Sequence, residues 1–310
     1  MPRSMTSTPA IAVIGAGALG SFLAARLAQA GLATALVARG PRRAELERDG
    51  IVMREGPAPR RIVVPLAKEG SGLAPPDIAI LAVKAGDLES ALAVLKPAAR
   101  PGMILLTVQN GVEAPEIAER AIPEAHVLAG RVHGFFEMDG SSVRHVGVEP
   151  SIAFGPLQDA PPTAGELMAA CLQQAAIAFT RPPDMRRALW EKFLLASAIG
   201  GVGLALGLPA GQLCNNARAR EMLESAMAEI AMIADMKGVD LPGDCVRATL
   251  DFAASFPPDA TSSLQRDVEE GRRSEFDSLT GAVLRFAEAL QVPVPTHRDI
   301  LRRIKARGLL

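Results

Sequence analysis

Ile11-Ala12-Val13-Ile14-Gly15-Ala16-Gly17-Ala18-Leu19-Gly20 is the stretch that decides the fold of this 310-residue chain. The four apolar residues read as a short buried strand, and Ser21 to Ala30 carries helix formers up to a stop at Gly31. Between them lies Gly-x-Gly-x-x-Gly. In a strand–turn–helix unit Gly15 permits a tight turn, Gly17 lets backbone approach a pyrophosphate, and Gly20 allows close helix–strand packing. The free N–H groups at the helix start suit an anion. Ala16, Ala18 and Leu19 complete the expected cofactor loop.

The next apolar run, Thr34-Ala35-Leu36-Val37-Ala38, ends at Arg39, with Arg42 and Arg43 behind it and no carboxylate before Glu45. An NAD-binding unit carries an acidic residue at this strand end to hold the ribose 2′-hydroxyl. A cation there suits a 2′-phosphate instead, so the reading is NADP(H); a solvated basic loop is the alternative.

The length suits about two domains. A net charge of −1 argues against nucleic acid or an anionic membrane surface as the main partner. Cys171, Cys214 and Cys245 are widely spaced and odd in number, as in a reduced cytoplasmic protein, and they read as small buried hydrophobes. Neither they nor His126, His133, His145 and His297 have metal-ligand spacing, so no metal is expected. Met1 to Pro9 lacks the apolar stretch of a signal peptide; Met5 reads as the natural start, with disordered residues before it. Phe193 to Ala217 contains no charge but is broken by Gly200, Gly201, Gly203, Gly207, Pro209 and Gly211. That favours a buried helix and a turn over a membrane span. The same segment suits either a contact between two copies, giving a homodimer, or burial within one chain.

Up to about residue 180, strand and helix signals alternate. Strands are expected at 62–64, 78–83, 104–108, 126–129, 142–148 and 152–154, with helices at 87–95 and 163–179. The continuous apolar runs Ile78–Val83 and Ile104–Val108 are of the kind buried parallel strands show. Gly15, Arg39, Lys84 and Asn110 all fall at strand ends, where ligands of open α/β sheets bind, so one crevice is expected. After Arg181-Pro182-Pro183 the pattern turns helical, over 185–199, 217–237, 243–256, 262–290 and 297–307. The fold class read from this is α/β: an N-terminal Rossmann-type doubly wound parallel sheet over 1–182, then an all-helical C-terminal domain over 183–310.

One helix carries an anomaly. Met185, Ala188, Lys192, Leu195 and Ile199 follow the spacing of a single face, which makes Lys192 the one charge on an apolar stripe. Either it snorkels from a buried helix end, or it is a partly desolvated ammonium able to protonate a carbonyl oxygen. Downstream, Phe276, Leu279, Val283, Phe286 and Leu290 form a core stripe. Glu275 sits beside it, and periodicity does not separate it from Glu269, Glu270 or Asp277.

Taken together, five blocks resemble the ketopantoate reductase (2-dehydropantoate 2-reductase) family: GAGALG at 15–20, Ala82-Val83-Lys84, Gln109-Asn110-Gly111, Leu189-Trp190-Glu191-Lys192-Phe193, and Ser263-Leu264-Gln265 through Ser274-Glu275-Phe276-Asp277 to Gly281. They stand in the family's order and span nearly the whole chain. The resemblance implies NADPH-dependent reduction of ketopantoate to pantoate, in pantothenate and coenzyme A biosynthesis. It makes Lys192 the catalytic lysine, Glu275 an assisting carboxylate, Ser263 a contact of the substrate carboxylate, Asn110 a cleft residue touching cofactor and substrate, and Arg39 and Lys84 cofactor-binding cations. Ala196, Gly200 and Thr280 stand where the family tends to have asparagine, which opens a second reading: a paralogue that reduces another ketone or 2-oxo acid. A 3-hydroxyacid dehydrogenase fits the Ser263–Glu275 spacing less well. A non-catalytic NADP(H)-binding protein sits poorly with the presence of both Lys192 and Glu275.

Overall fold

The computed structural model describes residues 8–55, 58–67, 72–158 and 160–309; the expected disordered leader before Met5 lies outside them. Two compact units divide the chain. The first comprises residues 1–109 and 113–185, and the second 110–112 and 186–310.

The first unit is built on a mixed sheet. Its strands are β1 (Ala10–Ile14), β2 (Ala33–Val37), β3 (Ile51–Met53), β4 (Arg60–Ile62), β5 (Ile78–Leu81), β6 (Ile104–Thr107), β7 (His126–Asp139), β8 (Ser142–Gly155) and β9 (Ala178–Thr180). The order is β2-β1-β5-β6-β7-β8-β3-β4, with β9 also paired to β8. From β2 to β7 the strands run parallel. Helix α1 (Ala18–Gln29) and α5 (Pro162–Gln174) cover one face, and α3 (Leu88–Leu95) and α4 (Ala114–Ala121) the other. β1 shows why: Ile11 and Val13 enter one core while Ala12 and Ile14 enter the other, as a doubly wound sheet with two covered faces requires. A further helix, α2 (Gly40–Asp49), follows β2.

Four readings of this unit need correction. The strand expected at 126–129 runs on to Asp139, and the two expected at 142–148 and 152–154 are one strand that pairs antiparallel with it. Pro150 suggests a break because it cannot donate to a ladder. It is accommodated where the register shifts between His133 and Phe135, opposite Gly134 (φ +132°). The helix expected over 163–179 stops at Gln174, Ala176 turns at φ +52°, and β9 follows. The strand expected at 62–64 is shifted to Arg60–Ile62, and β3 has no counterpart in the sequence reading.

The second unit is helical: α6 (Met185–Leu206, whose first residue belongs to the first unit), α7 (Ala210–Leu213), α8 (Ala217–Met236), α9 (Cys245–Ala254), α10 (Ser263–Glu269), α11 (Ala282–Leu290) and α12 (Pro295–Ala306). The single helix expected over 262–290 is in fact two. Gly271 takes the left-handed conformation at φ +64°, and the amides of Gly271 and Arg272 close back on Val268 and Asp267, a glycine-terminated helix end. A wide π-turn, Asp277–Gly281, then leads into α11.

α6 runs past its expected end at 199, straight through Gly200, Gly201 and Gly203. It is long and apolar enough to span a bilayer, yet 72% of its most apolar window is buried within the fold. The glycines make room for neighbours. A Cβ would meet Leu264 at Gly200, Thr280 and Ile300 at Gly201, and the Gln265 amide at Gly203, each first contact within 2.9 Å. Ser262 and Gln265 form a reciprocal capping box at the start of α10, and Gln265 also donates to the Leu208 carbonyl at 2.7 Å. Elsewhere, Glu229 of α8 accepts from the Thr296 and His297 amides at the start of α12 and pairs with the buried His297 ring at 2.6 Å.

Candidate functional site

In the first unit the carboxyl ends of β2, β1 and β5, side by side, carry Arg39, the glycine turn and Lys84. Strand order reverses at β1, which makes this the switch point of the sheet. Gly15 stands at φ +109°, and a Cβ there would lie 2.8 Å from the Ala82 carbonyl group. At Gly20 a Cβ would fall 1.8 Å from the Gly15 carbonyl oxygen. Both positions therefore exclude any side chain. Gly17 differs: it is exposed, caps α1 without a side-chain bond, and a Cβ added to it would meet nothing within 4 Å. It leaves an open approach to the α1 amides, as a bound pyrophosphate would require, so the turn fits a dinucleotide.

The three arginines after β2 separate into two kinds. Arg42 is half-buried: its Nε donates to the Ala16 carbonyl at 3.0 Å, and its guanidinium also reaches Ser21 Oγ, Glu45 and the Gly140 carbonyl. Arg43 donates to the Ala67 carbonyl and pairs with Glu47. Arg39 is exposed at the end of β2, with one long bond to the Ser90 carbonyl at 3.4 Å. Sequence grouped all three as one basic cluster. What spacing did not reveal is that Arg42 braces the glycine turn. Gln109, the first residue of the Gln-Asn-Gly block, has a role that spacing does not assign: it is 7% exposed, and its amide donates to the carbonyls of Leu81 and Val83, fixing the chain just before Lys84.

In the second unit Lys192 is half-buried on α6 between core residues. Trp190 and Phe193 are 2% and 1% exposed, stack edge-to-face at 5.4 Å, and both pack against Phe286 of α11. These rings fix the rotation of the helix and so the direction in which Lys192 leaves it. Asn110 and Glu275, 165 positions apart, are joined by a 2.7 Å bond in which the amide donates to the carboxylate. Gly111 must be glycine there, since a Cβ would lie 2.8 Å from the Ser278 carbonyl oxygen and φ is +98°. Of the adjacent serines, Ser262 is used as the cap of α10, whereas Ser263 is exposed. Thus Gly15–Gly20, Arg39 and Lys84 belong to the first unit, and Asn110, Lys192, Ser263 and Glu275 to the second.

The cysteines carry no sign of reactivity. Burial pushes the Cys171 thiol up to about 11 and also raises Cys214 and Cys245, the opposite of what a nucleophilic thiolate needs. Among the described residues no group of three or more His, Cys, Asp or Glu side chains is placed to hold a metal.

The family described as Ketopantoate reductase PanE/ApbA matches residues 11–159, and its C-terminal counterpart matches residues 184–308. The chain belongs to the ketopantoate reductase family. Its members are oxidoreductases that act on a ketone or the matching secondary alcohol. Among similar proteins is the 2-dehydropantoate 2-reductase of Halobacterium salinarum, 28% identical over 96% of this chain and 99% of its own length. A solved PanE/ApbA family ketopantoate reductase from Ralstonia eutropha is 30% identical, with a TM-score of 0.84 over 96% of this chain and 97% of that one. D-mandelate dehydrogenase, solved with NADH and anilino(oxo)acetate, shares the fold at 20% identity, with a TM-score of 0.86 over 96% and 99% of the two chains.

Proposed function

We propose that this protein reduces a 2-oxo acid to the 2-hydroxy acid with NADPH. The first 182 residues hold the cofactor, and residues 183–310 bind substrate and supply the proton. The observation that carries the reading is the bond from Asn110 to Glu275, which unites two candidate residues far apart in sequence within the unit that also bears Lys192. The exposed Arg39 supports the phosphorylated cofactor, since it is the arginine of its cluster least engaged with the protein. Lys84 is a second cation at the same sheet edge.

A reduced nicotinamide, when bound, supplies the hydride that the carbonyl carbon accepts. Lys192 Nζ donates a hydrogen bond to the carbonyl oxygen, stabilises the negative charge that grows there, and gives it a proton as the alcohol forms. Stabilisation by a preplaced cation is the kind of effect that dominates such reactions. Glu275, held by Asn110, orients the bound ketone, and Ser263 receives its carboxylate. The curated relatives' own substrate, 2-dehydropantoate, is the reference compound for assay, and its reduction would place the protein in pantothenate synthesis. Lys192→Ala tests the reading: turnover should fall by about 10²–10⁴-fold while NADPH binding, followed by fluorescence titration, stays within about twofold. Near wild-type turnover would remove the lysine from the mechanism.

A further inference from the structure

We infer that Arg42 is a positioning residue for the coenzyme: without touching it, the guanidinium presets the glycine turn to receive the pyrophosphate. This rests on the reading above that the first unit holds a nicotinamide dinucleotide. Bonds within the fold fix the peptides of the turn. The Gly15 amide donates to the Val37 carbonyl at 3.2 Å, and Ser21 Oγ and Arg42 Nε both donate to the Ala16 carbonyl, at 3.1 and 3.0 Å. In a trans peptide the N–H points opposite to the C=O. Holding the Ala16 carbonyl toward Ser21 and Arg42 therefore turns the Gly17 N–H away from them. Gly17 is the exposed glycine of the turn, with nothing within 4 Å of an added Cβ. An anion approaching that open side meets an amide already aimed outward.

The same geometry keeps Arg42 off the coenzyme. A guanidinium carries five N–H donors. Four of those of Arg42 are committed, one each to the Ala16 carbonyl, Ser21 Oγ, Glu45 and the Gly140 carbonyl. The one that remains cannot make the bidentate pair by which arginine grips a phosphate, and the charge is met by Glu45 at 2.6 Å. Ser21 is fully buried on α1, Glu45 lies on α2, and Gly140 is the tip of the β7–β8 hairpin at φ +55°. One side chain thus ties the turn to both helices and to the hairpin. A turn left loose must be ordered when its ligand arrives, and that cost is subtracted from affinity. The pyrophosphate is common to NADPH and NADH, so Arg42 strengthens both and does not choose between them. Arg39, exposed and with one long bond, has the opposite assignment.

Two variants of the full-length protein separate the fork from the charge. Arg42→Lys keeps the cation but loses the planar fork. Arg42→Gln combined with Glu45→Gln removes both charges of the pair and leaves the net charge unchanged. In calorimetric titration each should weaken NADPH and NADH alike, by about tenfold, the weight of one or two hydrogen bonds. Adenosine 2′-monophosphate carries the 2′-phosphate without the pyrophosphate, so its affinity should stay within about twofold of wild type. Three outcomes overturn the inference. Wild-type affinity for both coenzymes removes Arg42 from binding, a changed ratio between them makes it a phosphate contact, and an equal loss of adenosine 2′-monophosphate makes it a general support of the unit. A wild-type protein that binds NADH but not NADPH overturns the 2′-phosphate reading alone, and NADH and adenosine then make the same comparison. A wild-type protein that binds neither coenzyme overturns both.

Discussion

The glycines of the two units do opposite work. In the first unit Gly17 has open space where its side chain would be, beside two glycines that are closed by backbone. In the second, the spaces at Gly200, Gly201 and Gly203 are filled by Leu264, Thr280 and Gln265 of the same chain. One glycine leaves room for a visitor, and the others leave room for the protein itself. Both sets are small residues in an apolar setting, and sequence distinguishes them only by the Gly-x-Gly-x-x-Gly spacing of the first. What separates them is the identity of the atom that comes closest to the absent Cβ.

Swapping alanine into the two kinds should separate them further. Gly203→Ala forces the Gln265 amide out of its bonds to Leu208 and Ser262. Even after alanine's gain of about 1 kcal/mol in helix propensity, we expect a net loss of about 1–3 kcal/mol, read as a lower denaturation midpoint. Gly17→Ala should leave stability within about 1 kcal/mol of wild type, yet weaken NADPH at least about tenfold, because a methyl group crowds the α1 amides. If both variants lose stability and keep the cofactor, the contrast fails.

A smaller effect should appear at the sheet edge. Arg39→Asp exchanges a phosphate-matching cation for a carboxylate, and the ratio of NADPH to NADH affinity should drop about tenfold or more with no change in fold. An unchanged ratio would remove Arg39 from cofactor choice.

The smallest effect concerns the helical unit alone. Burial works to raise the Glu229 carboxyl, but bonds from the His297 ring and from the Thr296 and His297 amides outweigh it and hold the group below its usual value near 4.5. A depressed carboxyl contributes stability that is fully present above the unfolded value and is lost as pH falls through the folded one. Stability should therefore decline below about pH 4.5. In Glu229→Gln, denaturation measured between pH 3 and 6 should show a shallower acid slope on a lower plateau.

Much of this arrangement was legible in the residues. Strands β1, β5 and β6 are nearly continuous apolar runs because both faces of a parallel sheet are covered, and the turn glycines announce their positions by spacing. The π-turn, the split of the presumed 262–290 helix and the long β7–β8 hairpin were not. A helical period continues in phase across Gly271, and only that residue's left-handed backbone ends the first segment. Pro150 reads as a break when considered by itself; the bulge that tolerates it depends on Gly134 in another strand. Ser262 and Gln265 did carry a readable signal, the S-x-x-Q of a capping box, which identifies the first serine as structural and the second as available. The Asn110–Glu275 pair could not be read from either residue's neighbourhood, since nothing local to one specifies the other.

The grip of Arg42 on the Ala16 and Gly140 carbonyls has a practical side. An engineer seeking to change coenzyme preference would scan the basic residues after β2 and replace them together. Doing so would unfasten the glycine turn from the hairpin tip and blunt the affinity for either coenzyme, hiding the very switch being sought. Redesign at Arg39 with Arg42 retained is the route that leaves the turn intact.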